Sequence, residues 1–152
     1  EGGEMRTLAL MLAALIGGGL IPVQGLVNVR LAKILNDPIQ SSFISFLGAL
    51  VVLSLVLLTL RTEIPSWQQL RQAPWYVFTG GLFGAIFVTM VLVLAPRIGM
   101  TNTLAATIAG QLVISVVLDH FGILHLPRQA INLPRFAGCL GLMLSLYLIQ
   151  KT

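Results

Sequence analysis

Long apolar stretches separated by short polar connections set the pattern of the whole chain. Five of these stretches reach the length of about 20 apolar residues that a helix needs to cross a bilayer. They run over about residues 7–27, 40–60, 75–95, 100–124 and 136–150. A spanning segment must satisfy its own backbone hydrogen bonds, and continuous apolar runs lack the alternation of barrel strands. The pattern therefore predicts an all-α, polytopic membrane protein with five transmembrane helices.

Turn and helix-breaking residues mark several ends of these spans. Residues 36–38, Asn-Asp-Pro, form a strong turn signal before the second span, and Pro74 and Pro96 bracket the third. The first span leads into a further helical stretch up to Leu35. We therefore predict one long helix with a site of local bending near Pro22.

A single membrane domain accounts for the composition. Of the 152 residues, 57% are hydrophobic and only 9% are charged, whereas a soluble domain carries about 25% charged residues. This excludes a water-exposed globular protein. Residues 1–4 look like a tag remnant or a processed leader, which leaves 5–152 as the predicted five-helix domain. The single Cys139 excludes an internally disulfide-bonded module.

Basic residues divide almost evenly between the two sides of the predicted membrane. The first side, which holds the N-terminus and the loops after the second and fourth spans, carries five: Arg6, Arg61, Arg71, Arg128 and Arg135. The second side carries four: Arg30, Lys33, Arg97 and Lys151. A protein inserted one way shows a clear excess in its cytoplasmic loops. The balance and the odd number of spans are typical of dual topology, in which two opposed copies form an inverted repeat. A single orientation with a cytoplasmic N-terminus is the alternative.

Polar side chains within the fourth span are candidates for function, because unpartnered polar groups are costly in hydrocarbon. One occurs at every fourth position: Thr103, Thr107, Gln111, Ser115 and Asp119. Gln111 lies near the middle of the span, and we predict that it contacts a substrate, with Thr107 as a further contact. The alternative is hydrogen bonding between helices, which would only hold the bundle together. For Thr107 and Ser115 we favour a structural role, because their hydroxyls can bond their own backbone.

The first span offers a second polar pair. Gln24 and Asn28 lie one helical turn apart, just after Pro22, and form a reasonable wall of a binding site. Helix–helix hydrogen bonding is again the alternative. We expect the cavity to be walled by the first and fourth spans.

Asp119 is the only carboxylate that could lie within a span. One hypothesis makes it a proton-coupling or cation site. The other, which we favour, makes it an ion-pair partner of Arg135 at the membrane interface.

No catalytic constellation stands out. His120 and His125 are too few, and lack suitable companions, for a metal site, and Ser41 and Ser42 stand alone. No cluster of five or six basic residues marks a nucleic-acid surface. We therefore predict no enzyme, no cofactor, no metal and no nucleic-acid partner.

Small residues predict where helices approach closely. In the fifth span Ala137, Gly141 and Ser145 recur at every fourth position, which we interpret as a dimer interface, with packing inside one chain as the alternative. In the third span Gly80 and Gly84 form a GxxxG pair, which we assign to helix packing.

Several short motifs resemble a known family. They are residues 22–25 (PVQG), 45–48 (SFLG), 95–99 (APRIG), 110–112 (GQL) and 119–122 (DHFG). In this order they resemble the YdcZ-like family of inner-membrane exporters, within the drug/metabolite transporter superfamily, over about Leu8 to Ile149.

The resemblance implies a half-size, five-helix transporter subunit in the bacterial inner (cytoplasmic) membrane. It implies an antiparallel homodimer that moves a small-molecule substrate by alternating access, with the lipid bilayer and a second copy of the chain as partners. The first span lacks the membrane-centred Glu of the related small multidrug resistance family, so that coupling mechanism is not carried over. The alternative function is a non-transporting membrane subunit, or one half of a heterodimeric transporter.

Overall fold

The computed structural model describes residues 2–122 and 128–151, and within these ranges the chain is entirely helical apart from its connections. The helices are α1 (Gly2–Leu35), α2 (Pro38–Leu60), α3 (Trp67–Gln72), a 3-10 helix (Trp75–Thr79) that leads into α4 (Gly80–Ile98), α5 (Met100–Phe121) and α6 (Leu133–Gln150). Among the described residues, five helices are long and apolar enough to cross a membrane, with Trp75–Ile98 counted as one. The prediction of an all-α protein with five spans is therefore confirmed.

Local capping explains where two of the spans begin. Asp37 precedes α2, and its Oδ1 accepts hydrogen bonds from the backbone N–H groups of Ile39 at 2.7 Å and Gln40 at 3.3 Å. Pro38 occupies the first turn, where its missing N–H costs nothing. Asn132 caps α6 in the same way, because its Oδ1 accepts from the N–H of Arg135 at 3.0 Å.

Several predicted boundaries differ from the structure, including the start of α6, which is at Leu133 rather than near residue 136. α4 continues through Pro96 to Ile98, and Gly99 then turns the chain with φ 86°. α5 ends at Phe121 rather than near residue 124, because Gly122 takes the left-handed conformation with φ 60° and its N–H donates to carbonyls of the last turn. Residues 123–127 lie outside the described residues.

The first and last parts of α1 are both helical. The helix begins at Gly2, so residues 2–4 belong to its first turn, while Glu1 lies outside the described residues. Helix α1 runs without interruption past Pro22 and reaches Leu35, as predicted.

The chain divides into two compact units. The first comprises residues 1–93, with α1 packed along α2 and residues 80–93 of α4 joined to α2 by the Ser42–Thr89 hydrogen bond. The second comprises residues 94–152, with α5 packed along α6. Most large apolar side chains of each unit point outward, as expected where lipid rather than water is the solvent.

Gly84 marks the close approach of α4 to α2 within the first unit. A Cβ added to Gly84 would lie 3.5 Å from Cζ of the Phe46 ring, whereas one added to Gly80 would meet no described atom within 4 Å. Of the two glycines predicted to serve helix packing, Gly84 therefore lies against another helix, and Gly80 lies against no described atom.

We expect Gly84→Leu to lower the stability of the protein by about 1–3 kcal/mol, because the larger side chain must displace Phe46. Gly80→Leu is the matched control and should change stability little. Thermal unfolding of both variants in the same detergent measures the difference. Equal melting temperatures would show that the α2–α4 contact is not tightly packed.

Candidate functional site

A narrow cleft lies between α1 and α4 in the first unit. Its walls are formed by Ile21, Gln24, Gly25 and Asn28 of α1 and by Phe87, Val88, Val91 and Leu92 of α4. The amides of Gln24 and Asn28 are the polar side chains of this lining. The space inside is about 20 Å³, which is room for about one water molecule. The cleft therefore offers two hydrogen-bonding groups on an otherwise apolar surface.

Asn28 is fixed by two serines of α2. It is only 6% exposed, and its Nδ2 donates to Oγ of Ser45 at 3.0 Å. Ser41, which is fully buried, donates from Oγ to the backbone carbonyl of Asn28 at 2.8 Å. Since Ser41 and Ser45 lie one turn apart on the same face of α2, they hold one residue of α1 by both its backbone and its side chain.

A second hydrogen bond joins α2 to α4. The buried hydroxyl of Ser42 and the hydroxyl of Thr89 share a hydrogen bond of 2.9 Å. Helix α2 therefore supports both walls of the cleft, although it contributes no lining residue. Such interhelical bonds contribute about 0.6 kcal/mol each on average in a membrane protein, so their main effect is to set the relative position of the walls.

Gln24 differs from Asn28 in being free. Its side chain is exposed, and it makes no hydrogen bond to the described residues of the first unit. The two predicted substrate contacts of the first span thus share one cleft, with Asn28 held in place and Gln24 available.

Sequence reasoning missed the serine–threonine support of the cleft. The sequence pattern shows Ser41 and Ser42 only as isolated hydroxyls, Ser45 only as part of the motif at residues 45–48, and Thr89 not at all. The i, i+4 spacing of Ser41 and Ser45 was the available signal, because it places two hydroxyls on one helix face.

The wall opposite α1 in this cleft is α4, which belongs to the third span. The cavity expected between the first and fourth spans stays a prediction, because α5 lies in the second unit. The expectation followed polar residues, whereas α4 presents an apolar wall that no polar pattern could indicate.

The polar row of the fourth span lies on α5, in the second unit, and no hydrogen bond among the described residues joins its members to one another. Thr103 and Thr107 donate to carbonyls of their own helix, those of Gly99 at 2.8 Å and Leu104 at 2.9 Å. Gln111 is exposed and makes no hydrogen bond to the described residues of its own unit. Like the amide of Gln24, its amide therefore has no partner among the described residues of its own unit.

Asp119 lies near the end of α5 and is paired. Its Oδ2 is 3.6 Å from Nη1 of Arg135, the residue that sequence analysis favoured as partner, and both side chains are partly exposed. The Arg135 guanidinium also donates to Gln129. The backbone carbonyl of Asp119 accepts from the N–H of Gln129 at 2.9 Å. This carboxylate joins the end of α5 to the start of α6.

His120 takes part in the same connection. Its Nδ1 accepts from the backbone N–H of Ile131 at 3.3 Å, and its carbonyl accepts from Nε of Arg128 at 3.0 Å. His125 lies outside the described residues. Within residues 2–122 and 128–151, no group of three or more His, Cys, Asp or Glu side chains could hold a metal ion.

We expect Asp119→Asn to lower stability only slightly, by up to about 1 kcal/mol, because partly exposed ion pairs contribute little. The pH dependence of transport should survive, since the carboxylate serves the α5–α6 connection. Thermal unfolding and transport at several pH values measure both effects. Loss of pH-driven transport with intact substrate exchange would instead identify Asp119 as a coupling group.

The small-residue row of α6 is uncovered by the described residues of the second unit. Ala137, Gly141 and Ser145 are exposed, and a Cβ added to Gly141 would meet no described atom within 4 Å. The Ser145 hydroxyl donates to the carbonyl of Gly141 at 2.9 Å, so it needs no partner from another helix. This face of α6 therefore carries only small side chains, and its one hydroxyl already has a hydrogen-bond acceptor.

Comparison with known proteins gives matches along nearly the whole chain. The family model described as "Putative inner membrane exporter, YdcZ" matches residues 9–148. The "Inner membrane protein YdcZ" of Escherichia coli (strain K12) is 24% identical over 148 residues, which is 97% of either chain. No solved structure matches. With the five apolar helices, these similarities place the protein in the inner membrane as a multi-pass protein.

Proposed function

Because the chain belongs to the YdcZ family of inner-membrane exporters, we propose that it exports a small solute by alternating access as an antiparallel homodimer. The family is one of transporters rather than enzymes.

The observation that carries the proposal is the cleft between α1 and α4. It offers two amides on an apolar surface, yet its space of about 20 Å³ is too small for a solute. Binding sites for small molecules occupy about 300–1,000 Å³. A second copy of the chain would supply the missing walls and place the cavity at a dimer interface.

The even division of basic residues supports the antiparallel arrangement. Five lie on the first side and four on the second, so neither orientation is strongly favoured. Two opposed five-helix copies would form the inverted repeat found in many transporters.

The cleft lining favours a particular class of solute. Gln24 and Asn28 are its polar side chains, and its lining contains no carboxylate that could balance a cation. We therefore propose a neutral, zwitterionic or weakly anionic substrate. Gln111 and Thr107 of α5 are proposed as further contacts, with the free amide of Gln111 as the stronger candidate.

A thermal-shift screen of metabolites on the purified protein tests this function, because a ligand that binds the folded state raises its apparent stability. The solute with the largest shift is then loaded into proteoliposomes that hold only this protein. We expect flux through the pure protein. Binding without flux would indicate a non-transporting subunit, and flux only after addition of a second chain would indicate a heterodimer.

We expect Gly141→Leu to weaken the proposed dimer, because the added side chain would hold the two α6 backbones apart. Gly141→Ala is the matched control and should dimerise nearly as the wild type does. Light scattering after size exclusion, over a dilution series in mild detergent, reports the mass. A dimer of unchanged stability in Gly141→Leu would assign the small-residue row to packing inside one chain.

A further inference from the structure

The connection between the second and third spans has the features of a segment that lies on a membrane surface. Helix α2 ends at Leu60 and the next span begins at Trp75, so the residues between them leave and re-enter the bilayer on the same side. A capping box holds α3 in shape. Ser66 Oγ accepts from the N–H of Gln69 at 3.3 Å, and Gln69 Oε1 accepts from the N–H of Ser66 at 2.8 Å.

The apolar side chains of this segment are exposed. Ile64 is 90% exposed, Trp67 is 71% exposed and Trp75 is 79% exposed. Trp67 and Leu70 lie three residues apart and therefore share one face of α3. Tryptophan is enriched at the depth of lipid headgroups, where its ring is half in hydrocarbon and half in water. These side chains would lie in the headgroup region.

A single guanidinium stands beside this aromatic surface. Cζ of Arg71 lies 5.8 Å from the centroid of the Trp67 ring, within the range of a cation–π contact. Arg71 and Trp67, together with Leu70 and Phe78, line one open groove. A groove with aromatic walls and one cation matches a lipid, whose acyl region is apolar and whose phosphate is anionic.

The charge of the segment favours an anionic lipid over a zwitterionic one. Residues 61–74 contain Arg61 and Arg71 and a single acid, Glu63, so their net charge is +1. A choline headgroup would bring its own cation close to Arg71, whereas a glycerol headgroup would not.

We propose that residues 61–78 bind an anionic phospholipid, with Arg71 on the phosphate and Trp67 and Phe78 beside the glycerol and upper acyl region. This interaction is independent of the transported solute. The attraction of one basic residue to an anionic membrane surface corresponds to about a fivefold preference, so the segment should favour anionic lipid in the surrounding bilayer.

Intrinsic fluorescence tests this proposal directly, because Trp67 and Trp75 are the only two tryptophans of the chain. The full-length protein is placed in nanodiscs of phosphatidylcholine and phosphatidylglycerol in equal amounts, with brominated acyl chains on one lipid or the other. We expect stronger quenching when phosphatidylglycerol carries the bromine. Equal quenching by both lipids, or quenching by neither, would overturn the proposal.

Variants assign the selectivity to one residue. Arg71→Gln should remove the preference for phosphatidylglycerol, whereas Arg97→Gln, which changes a basic residue outside the segment, should retain it. An unchanged preference in Arg71→Gln would contradict the role of Arg71.

For the wild type, inorganic phosphate should reduce the preference for phosphatidylglycerol no more than NaCl does at the same ionic strength. A larger effect of phosphate would mean that the site binds the free anion instead of a lipid.

Discussion

Two lysines added between the second and third spans will abolish transport by the protein expressed alone. Thr62→Lys with Gln68→Lys raises the count of basic residues on the first side from five to seven, against four on the second. Because Lys and Arg in short loops set orientation, all copies should insert the same way. No antiparallel pair can then form, and the cavity that two opposed copies would build is lost.

Co-expression with an oppositely biased variant should restore transport. Arg6→Gln with Arg61→Asn and two lysines appended after Thr152 leaves three basic residues against six. Asn suits position 61 because that residue has φ 49°, in the left-handed region. Thr62→Gln with Gln68→Asn is the neutral control and should transport normally. Full transport by the lysine variant, once its orientation is shown to be uniform, would refute the antiparallel pair.

The second large effect is expected at the two amides of the cleft. Substitution of either amide should reduce transport, but only one of the two substitutions should lower stability. Asn28→Ala loses the hydrogen bond to Ser45 and should destabilise the protein by about 0.6 kcal/mol, and by at most about 1.7 kcal/mol. It also removes a proposed substrate contact. Gln24→Ala removes only a contact, because its amide makes no hydrogen bond to the described residues of the first unit. Its melting temperature should therefore equal that of the wild type.

Flux per folded molecule should fall in both variants. A lost hydrogen bond is worth about 0.5–1.5 kcal/mol, which is about 2- to 12-fold in affinity. Ser45→Ala is the matched control, since it breaks the same hydrogen bond as Asn28→Ala and leaves the amide in place. Wild-type flux in folded Gln24→Ala protein would remove the cleft from the transport path.

The spans could be predicted from the sequence because membrane insertion demands long apolar runs, and such runs are visible residue by residue. The ends of the helices were less predictable where one residue, rather than the length of the apolar run, decides where the helix stops. Gly122 ends α5 although apolar residues follow it, and α4 continues for two residues beyond Pro96. Helix α3 has only six residues, too few for a periodic pattern.

The candidate site was only half predictable for a related reason. Gln24 and Asn28 were visible because amides are rare in apolar helices. The wall opposite them is apolar and resembles any other lipid-facing surface in the sequence. The supporting bonds of Ser42 and Thr89 join residues that are 47 positions apart, and no local spacing indicates such a pair.

Labelling of single cysteines from the two sides of the membrane tests the antiparallel dimer most directly. Gln68→Cys, on the first side, and Gln150→Cys, near the second, are each placed in a Cys139→Ser background, and intact cells are treated with a membrane-impermeant maleimide. The antiparallel dimer predicts that each site is labelled partly from outside and that the remainder reacts only after the membrane is opened. Complete labelling of one site from outside, with none at the other, would show a single orientation and contradict the account.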